Sequence, residues 1–203
     1  MKPISSKGAV RLAAAGAAAV IAFGLAGCGK KEESAGGSSG SSVQPVVKIG
    51  HAAPLTGGIA HLGKDNENGV RLAIDEANAK GLTIGGQKVA FEMLTEDDEG
   101  KENKGPIIAQ KFVDAKVAGV VGHLNSGVTI PASEIYNKAG IPVISGSATN
   151  PVLTDRNMKG VFRTVGRDDQ QGPAIAAYIA GELKAKTVAL VDDKTAYGEG
   201  LAN

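Results

Sequence analysis

From Val46 onward, short apolar runs alternate with segments of helical periodicity, and this alternation constrains the fold more than any other feature of the 203-residue chain. Val46-Val47-Lys48-Ile49-Gly50-His51-Ala52-Ala53 reads as a strand, and Pro54 to Gly63 as a glycine-rich loop. Lys64 to Lys80 carries Val70, Ala73, Ile74 and Ala77 at i, i+3, i+4 and i+7, the inward stripe of an amphipathic helix that Gly81 stops. Leu82 to Lys88 holds Gly85-Gly86, a hairpin turn. The pattern then predicts a strand at Val89–Thr95 and a helix at Lys101–Lys116 with Ile108, Phe112 and Val113 facing inward. A third strand at Ala118–Gly122, a helix from about Val128 to Ala139 and a strand at Ile141–Ile144 follow. After a long loop come a fifth strand at Val161–Val165, a helix at Gln170–Lys184 and a sixth strand at Thr187–Val191. Strand–helix alternation of this length specifies α/β architecture with a mostly parallel, doubly wound sheet. Its crossovers are expected to be right-handed.

Two of these strands run directly into loops of small hydroxyl residues. Gly119–Gly122 leads into His123-Leu124-Asn125-Ser126-Gly127-Val128-Thr129, and Ile141–Ile144 into Ser145-Gly146-Ser147-Ala148-Thr149-Asn150-Pro151. In open α/β sheets, ligands sit beyond the carboxyl ends of the strands. Loops of this composition offer hydroxyls and backbone N–H groups there, not acids, bases or nucleophiles. Ser126 and Thr129 also fall where a strand ends and a helix begins, where free N–H groups and the helix dipole favour an anion such as a carboxylate. The competing reading is that Ser126 only caps the helix. For the second loop it is an Asn-Pro turn whose hydroxyls pair locally.

The same residues carry a family resemblance. Gly122-His123-Leu124, Ser126, Thr129, Pro131-Ala132-Ser133, Ile135-Tyr136, Ser147-Ala148-Thr149-Asn150-Pro151, Arg163-Thr164, Gln171-Gly172 and Tyr197-Gly198-Glu199-Gly200-Leu201-Ala202 occur in the order seen in the leucine/isoleucine/valine-binding proteins of bacterial ABC importers. The chain resembles that family from about Ala60 to Asn203. The resemblance implies a type I periplasmic-binding-protein fold of two lobes, each a three-layer α/β sandwich, joined by three crossings. It implies that residues 46–165 form lobe one and that 166–203 begin lobe two. The family is about twice as long, so the chain reads as truncated in lobe two.

The resemblance also implies roles. Ser126 contacts the ligand. In the second loop a backbone carbonyl, with Ser147 where relatives carry Gly or Ala, meets the ligand ammonium, and Thr149 meets its carboxylate, with Ala148 between them. Tyr197 closes over the ligand from the lobe-two side. Leu62 takes the place of an aromatic residue that packs on the ligand, a departure that leaves the accepted side chain open. A further departure is Asn125, where several relatives have a disulfide-forming Cys. The acid that meets the ammonium is expected beyond Asn203. The implied function is capture of a free amino acid, branched-chain or similarly aliphatic, for delivery to ABC transporter permease subunits. A two-lobed sensor for signalling is the alternative. A piece limited to 46–203 is expected to bind no amino acid tightly.

The amino terminus reads as an export leader. Lys2, Lys7 and Arg11 precede the Ala-rich run Leu12–Leu25, whose 14 residues suit a signal segment. That run is short of the roughly 20 apolar residues that span a bilayer. Leu25-Ala26-Gly27-Cys28 resembles a lipobox, with Cys28 as the lipidated residue and residues 1–28 as the signal segment. The alternative is a plain secretory signal. Residues 29–45 are Gly/Ser-rich and read as a flexible tether with a reach of roughly 20–25 Å. Cys28 is the only Cys, so no internal disulfide is available.

Residues 1–45 hold five basic and two acidic residues, and 46–203 hold 17 and 19. A near-neutral body with 3% aromatics gives no support for nucleic-acid binding. His51, His61 and His123 lack metal-ligand spacing, and no metal or cofactor is expected. His123 reads as a loop residue tied to backbone. Asp97-Asp98, Asp168-Asp169 and Asp192-Asp193 fall at element ends, where carboxylates cap helices or meet solvent. A secreted hydrolase with Ser126 as nucleophile and His123 as base lacks an evident orienting group. The turn Pro54-Leu55-Thr56-Gly57-Gly58 lacks a dinucleotide fingerprint. Gly36-Gly37-Ser38-Ser39-Gly40 spells the nucleophile-elbow motif without the flanking strand and helix.

Overall fold

A computed structural model describes residues 44–203. The leader, Cys28 and most of the tether lie outside the described residues. The first strand, β1 (Val46–Ala53), is followed by α1 (Ala60–Lys80), the hairpin strands β2 (Thr83–Ile84) and β3 (Gln87–Lys88), and β4 (Ala90–Asp97). Then come α2 (Lys104–Asp114), β5 (Gly119–Gly122), α3 (Ser126–Lys138), β6 (Val143–Ser145), α4 (Val152–Asp155) and β7 (Val161–Arg163). The chain continues through α5 (Asp168–Gly181) and α6 (Ala196–Ala202).

Five strands form one all-parallel sheet in the order β4-β1-β5-β6-β7. The chain winds outward from β1 in both directions, so strand order reverses between β1 and β5. That is a topological switch point, where ligands bind beyond the strand carboxyl ends. Adjacent residues of β1 point to opposite faces. Gly50 faces Phe112 of α2, since a Cβ there would come within 2.9 Å of that ring. Ile49 faces α1. Helices therefore cover both faces, as a parallel sheet requires.

The packed core lies under α2 and α3, where Ile108, Phe112, Val120, Ala132, Tyr136 and Val143 are buried together. The α1 side is filled less. Of the expected stripe only Val70 is buried, and Ile74 and Ala77 line an apolar cavity of about 530 Å³ with Phe91 and Val121. Gly122 carries φ +137°, and a Cβ there would collide with the Ala52 carbonyl. A glycine is required where β5 ends against β1.

The parallel sheet and the helices match the sequence reading apart from a few residues at their ends. Two differences are larger. The long loop after β6 contains the single turn α4, too short for a periodic signal. The expected strand at Thr187–Val191 is not a strand among the described residues, and Leu190 and Val191 are exposed. A strand exists only through its ladder partners, and residues 187–191 pair with none of the sheet strands. Among the described residues no helix is long and apolar enough to cross a membrane.

Candidate functional site

The two hydroxyl-rich loops converge beyond the carboxyl ends of β5 and β6, beside the switch point. The first opens α3. Asn125 is the extended N-cap residue, yet its side chain makes no cap, and Ser126 is already the first helical residue. Ser126 does not cap the helix. Instead its Oγ accepts the Asn150 N–H of the second loop at 3.3 Å, and the residue is 2% exposed. The hydroxyl proton of Ser126 thus remains free to donate. Thr129 turns back on its own helix, donating to the Asn125 and His123 carbonyls at 2.8 and 3.2 Å.

In the second loop Ser145 Oγ donates to the His123 carbonyl at 2.9 Å and accepts the Ala148 N–H at 2.9 Å. Ser147 spends its hydroxyl on the Leu124 carbonyl at 2.7 Å and its N–H on Ser145 Oγ at 3.4 Å, which leaves its carbonyl as the part available to a ligand. Ala148 is buried, with its carbonyl taken by Arg163 Nη1 at 2.7 Å. Arg163 Nη2 donates to the Asn150 carbonyl at 2.8 Å and to Thr154 Oγ1 at 3.0 Å. One guanidinium at the end of β7 therefore brackets Thr149 from both sides. Burial, with the neighbouring Arg167, lowers that guanidinium from its ordinary value, and Asp168 opposes the shift. Thr149 Oγ1 is buried and has no hydrogen-bond partner. Both carboxylate oxygens of Asp168 are in the same condition, on a residue 3% exposed whose N–H donates to the Thr149 carbonyl at 3.0 Å.

The structure brings Ser126, Ser147, Ala148 and Thr149 together and ties the Tyr197 segment to them, because Asn150 Nδ2 donates to the Ala196 carbonyl at 2.7 Å. Tyr197 itself is half exposed on α6. Leu62 is exposed on the first turn of α1.

His123 and Asp98 differ from expectation. Neither contacts solvent, and His123 Nδ1 donates to Asp98 Oδ2 at 2.7 Å. His123 Nε2 meets Tyr136 Oη at 3.1 Å. Burial, then the Asp98 charge, raises the Tyr136 phenol, so it keeps its proton and donates to the ring. Both imidazole nitrogens are thus occupied, and neither faces Ser126. A nucleophile–base pair is not assembled, and the polar side chains instead hold the loops. The sequence signal for this network was weak: Asp98 is one of three acidic pairs, and only folding brings it to His123.

Residues 46–203 match the Periplasmic binding protein family, and the chain belongs to it. The chain is 44% identical over 157 residues to the Leu/Ile/Val-binding protein BraC3 of Rhizobium johnstonii, covering 77% of this chain and 42% of that protein. Among solved structures it resembles the branched-chain amino acid transporter substrate binding protein LivJ of Streptococcus pneumoniae in complex with isoleucine. There the TM-score is 0.69 at 32% identity, over 77% of this chain and 44% of that one. An ABC transporter substrate-binding protein of Desulfitobacterium hafniense in complex with Leu gives a TM-score of 0.62 at 34% identity, over 77% and 45%. The chain therefore spans about two fifths of the curated relative's length.

Proposed function

We propose that the protein is a non-catalytic receptor that captures a free aliphatic amino acid between two lobes and delivers it to the permease of an ABC importer. The observation that carries this reading is the buried, unpartnered Thr149 hydroxyl beside Ser126, at the start of α3 and beyond β5 and β6. Two hydroxyl donors at a helix N-terminus suit a carboxylate. Ser126 and Thr149 take that group, the Ser147 carbonyl meets the ammonium, and Tyr197 approaches from the second lobe. Ala148 and Leu62 supply apolar wall. Residues 46–165 form the first lobe, and the chain from 166 opens the second. A relative named a Leu/Ile/Val-binding protein and two similar structures solved in complex with isoleucine and with Leu support the ligand class.

The leader delivers the protein across the membrane, and lipid on Cys28 holds it there through the 29–45 tether. A thermal-shift screen of the full-length protein against the 20 amino acids tests the ligand class. Leucine, isoleucine or valine is expected to raise the unfolding midpoint, since ligand at 100 times Kd stabilises by ~2.7 kcal/mol. A midpoint unmoved by every amino acid contradicts the proposal.

A further inference from the structure

We infer that Arg163 is a positioning residue for ligand binding: from the end of β7 it fixes the backbone on both sides of Thr149 and leaves the donors of that one residue to the ligand carboxylate. The inference rests on the amino-acid reading of the cleft. The Ala148 N–H donates to Ser145 Oγ at 2.9 Å, and the Ala148 carbonyl accepts Arg163 Nη1 at 2.7 Å. The Asn150 N–H donates to Ser126 Oγ at 3.3 Å, and the Asn150 carbonyl accepts Arg163 Nη2 at 2.8 Å. Between them, the Thr149 carbonyl accepts the Asp168 N–H at 3.0 Å. Among the described residues, the N–H and the hydroxyl of Thr149 are the donors of this run that have no partner.

The geometry of the peptide unit explains the selection. A trans peptide sets its C=O and its N–H in opposite directions, and the Ala148–Thr149 bond is trans. The bond from Nη1 to the Ala148 carbonyl therefore turns the Thr149 N–H away from the guanidinium. Nη2 holds the next carbonyl but one, so a single planar group clamps the run at both ends. Arg163 is itself held. It lies opposite Ser145 in the β6–β7 ladder, and Nη2 also donates to Thr154 Oγ1 of α4 at 3.0 Å. Lys presents one compact ammonium on a flexible stem and does not reproduce this planar fork.

Arg163, Ser145, Thr154 and residues 148–150 all belong to the proposed first lobe, so the arrangement is carried intact whether the cleft is open or closed. An amino acid that enters the open cleft meets a Thr149 whose backbone is already set. Less ordering is then required at the moment of binding, which strengthens affinity without a contact between Arg163 and the ligand.

The experiment measures leucine and leucinamide affinities by calorimetry, together with ligand-free amide exchange at Ala148 and Asn150. It compares the full-length protein with Arg163→Lys and Thr154→Val. Leucinamide carries a neutral carboxamide in place of the carboxylate. Arg163→Lys is expected to weaken leucine binding by roughly tenfold, the scale of one hydrogen bond to a charged group. Leucinamide is expected to lose only about threefold, because bonds to a neutral acceptor are about half as strong. Exchange at Ala148 and Asn150 is expected to speed up while β1 and β5 keep the parent's rates. Thr154→Val removes one anchor of the guanidinium and is expected to move the same readouts by a smaller factor, and it decides the question if Arg163→Lys does not fold. Parent-like leucine affinity in Arg163→Lys overturns the inference, as does equal weakening of both ligands, the mark of general loosening. If the parent takes up no leucine, the amino-acid reading fails. Faster exchange at Ala148 and Asn150 in the variants then supports the positioning of Thr149 by Arg163, and unchanged exchange overturns it.

Discussion

The carboxylate of Asp98, at the end of β4, lies 2.7 Å from Nδ1 of His123, at the end of β5, and both side chains are fully buried. The His123 carbonyl accepts from Thr129 and Ser145, and Ser145 in turn receives the Ala148 N–H. One buried pair thus anchors both hydroxyl loops.

Asp98→Ala leaves the His123 N–H without an acceptor in a site that water does not reach. A buried donor stripped of its partner costs ~1–3 kcal/mol. Urea unfolding is expected to show a loss within that range, with Asp98→Asn milder because it retains an acceptor. An unchanged midpoint in Asp98→Ala refutes the anchoring role.

His51 gives the fold an acid-side weakness. Its Nδ1 donates to the Val121 carbonyl at 3.0 Å, while Nε2 is buried without a partner. Burial lowers its value below the ordinary 6.5, against the pull of that carbonyl and of Glu67. Above the unfolded-state value both states are neutral and the stability is fully present. As pH falls below about 6.5 the unfolded chain takes up a proton that the folded one refuses, at a cost of up to ~1.4 kcal/mol per pH unit until the folded value is reached. His51→Asn keeps a donor toward Val121 and removes the titration. Urea midpoints at pH 8, 6.5 and 5 are expected to fall less steeply in this variant than in the parent below pH 6.5. Equal slopes exclude His51 as the cause.

Much of this fold is legible in local pattern. The helical stripe of Ile108 and Phe112 and the apolar runs at Val46–Ala53 and Gly119–Gly122 read directly as α2, β1 and β5. The hydroxyl loops read as a binding site because strand ends and helix starts are local events. What stayed hidden depends on contacts far apart in sequence. Thr187–Val191 has strand composition, but composition does not supply a ladder partner. Asp98 and His123 are 25 residues apart, and Asn150 and Ala196 are 46 apart. Arg163 stood in a recognised block of sequence, yet its grip on the Ala148 and Asn150 carbonyls appears only once β7 lies beside β6.

Membrane attachment through Cys28 is tested by fractionation. The Leu25-Ala26-Gly27-Cys28 run predicts that the parent protein fractionates with membranes. Cys28→Ala is expected to release it to the soluble fraction or to leave it unprocessed. Cleavage at the same bond with full membrane retention refutes the anchor.

The most direct measurement is isothermal titration of the full-length protein with leucine, alongside Ser126→Ala, Thr149→Ala and the double variant. The account predicts leucine binding in the micromolar range or tighter. Each single substitution is expected to weaken it by roughly ten- to over a hundredfold, since a hydrogen bond to a charged group contributes ~1.5–3 kcal/mol, and unfolding midpoints should stay close to the parent's. The double variant binding leucine as tightly as the parent contradicts the assignment of the carboxylate to these two hydroxyls.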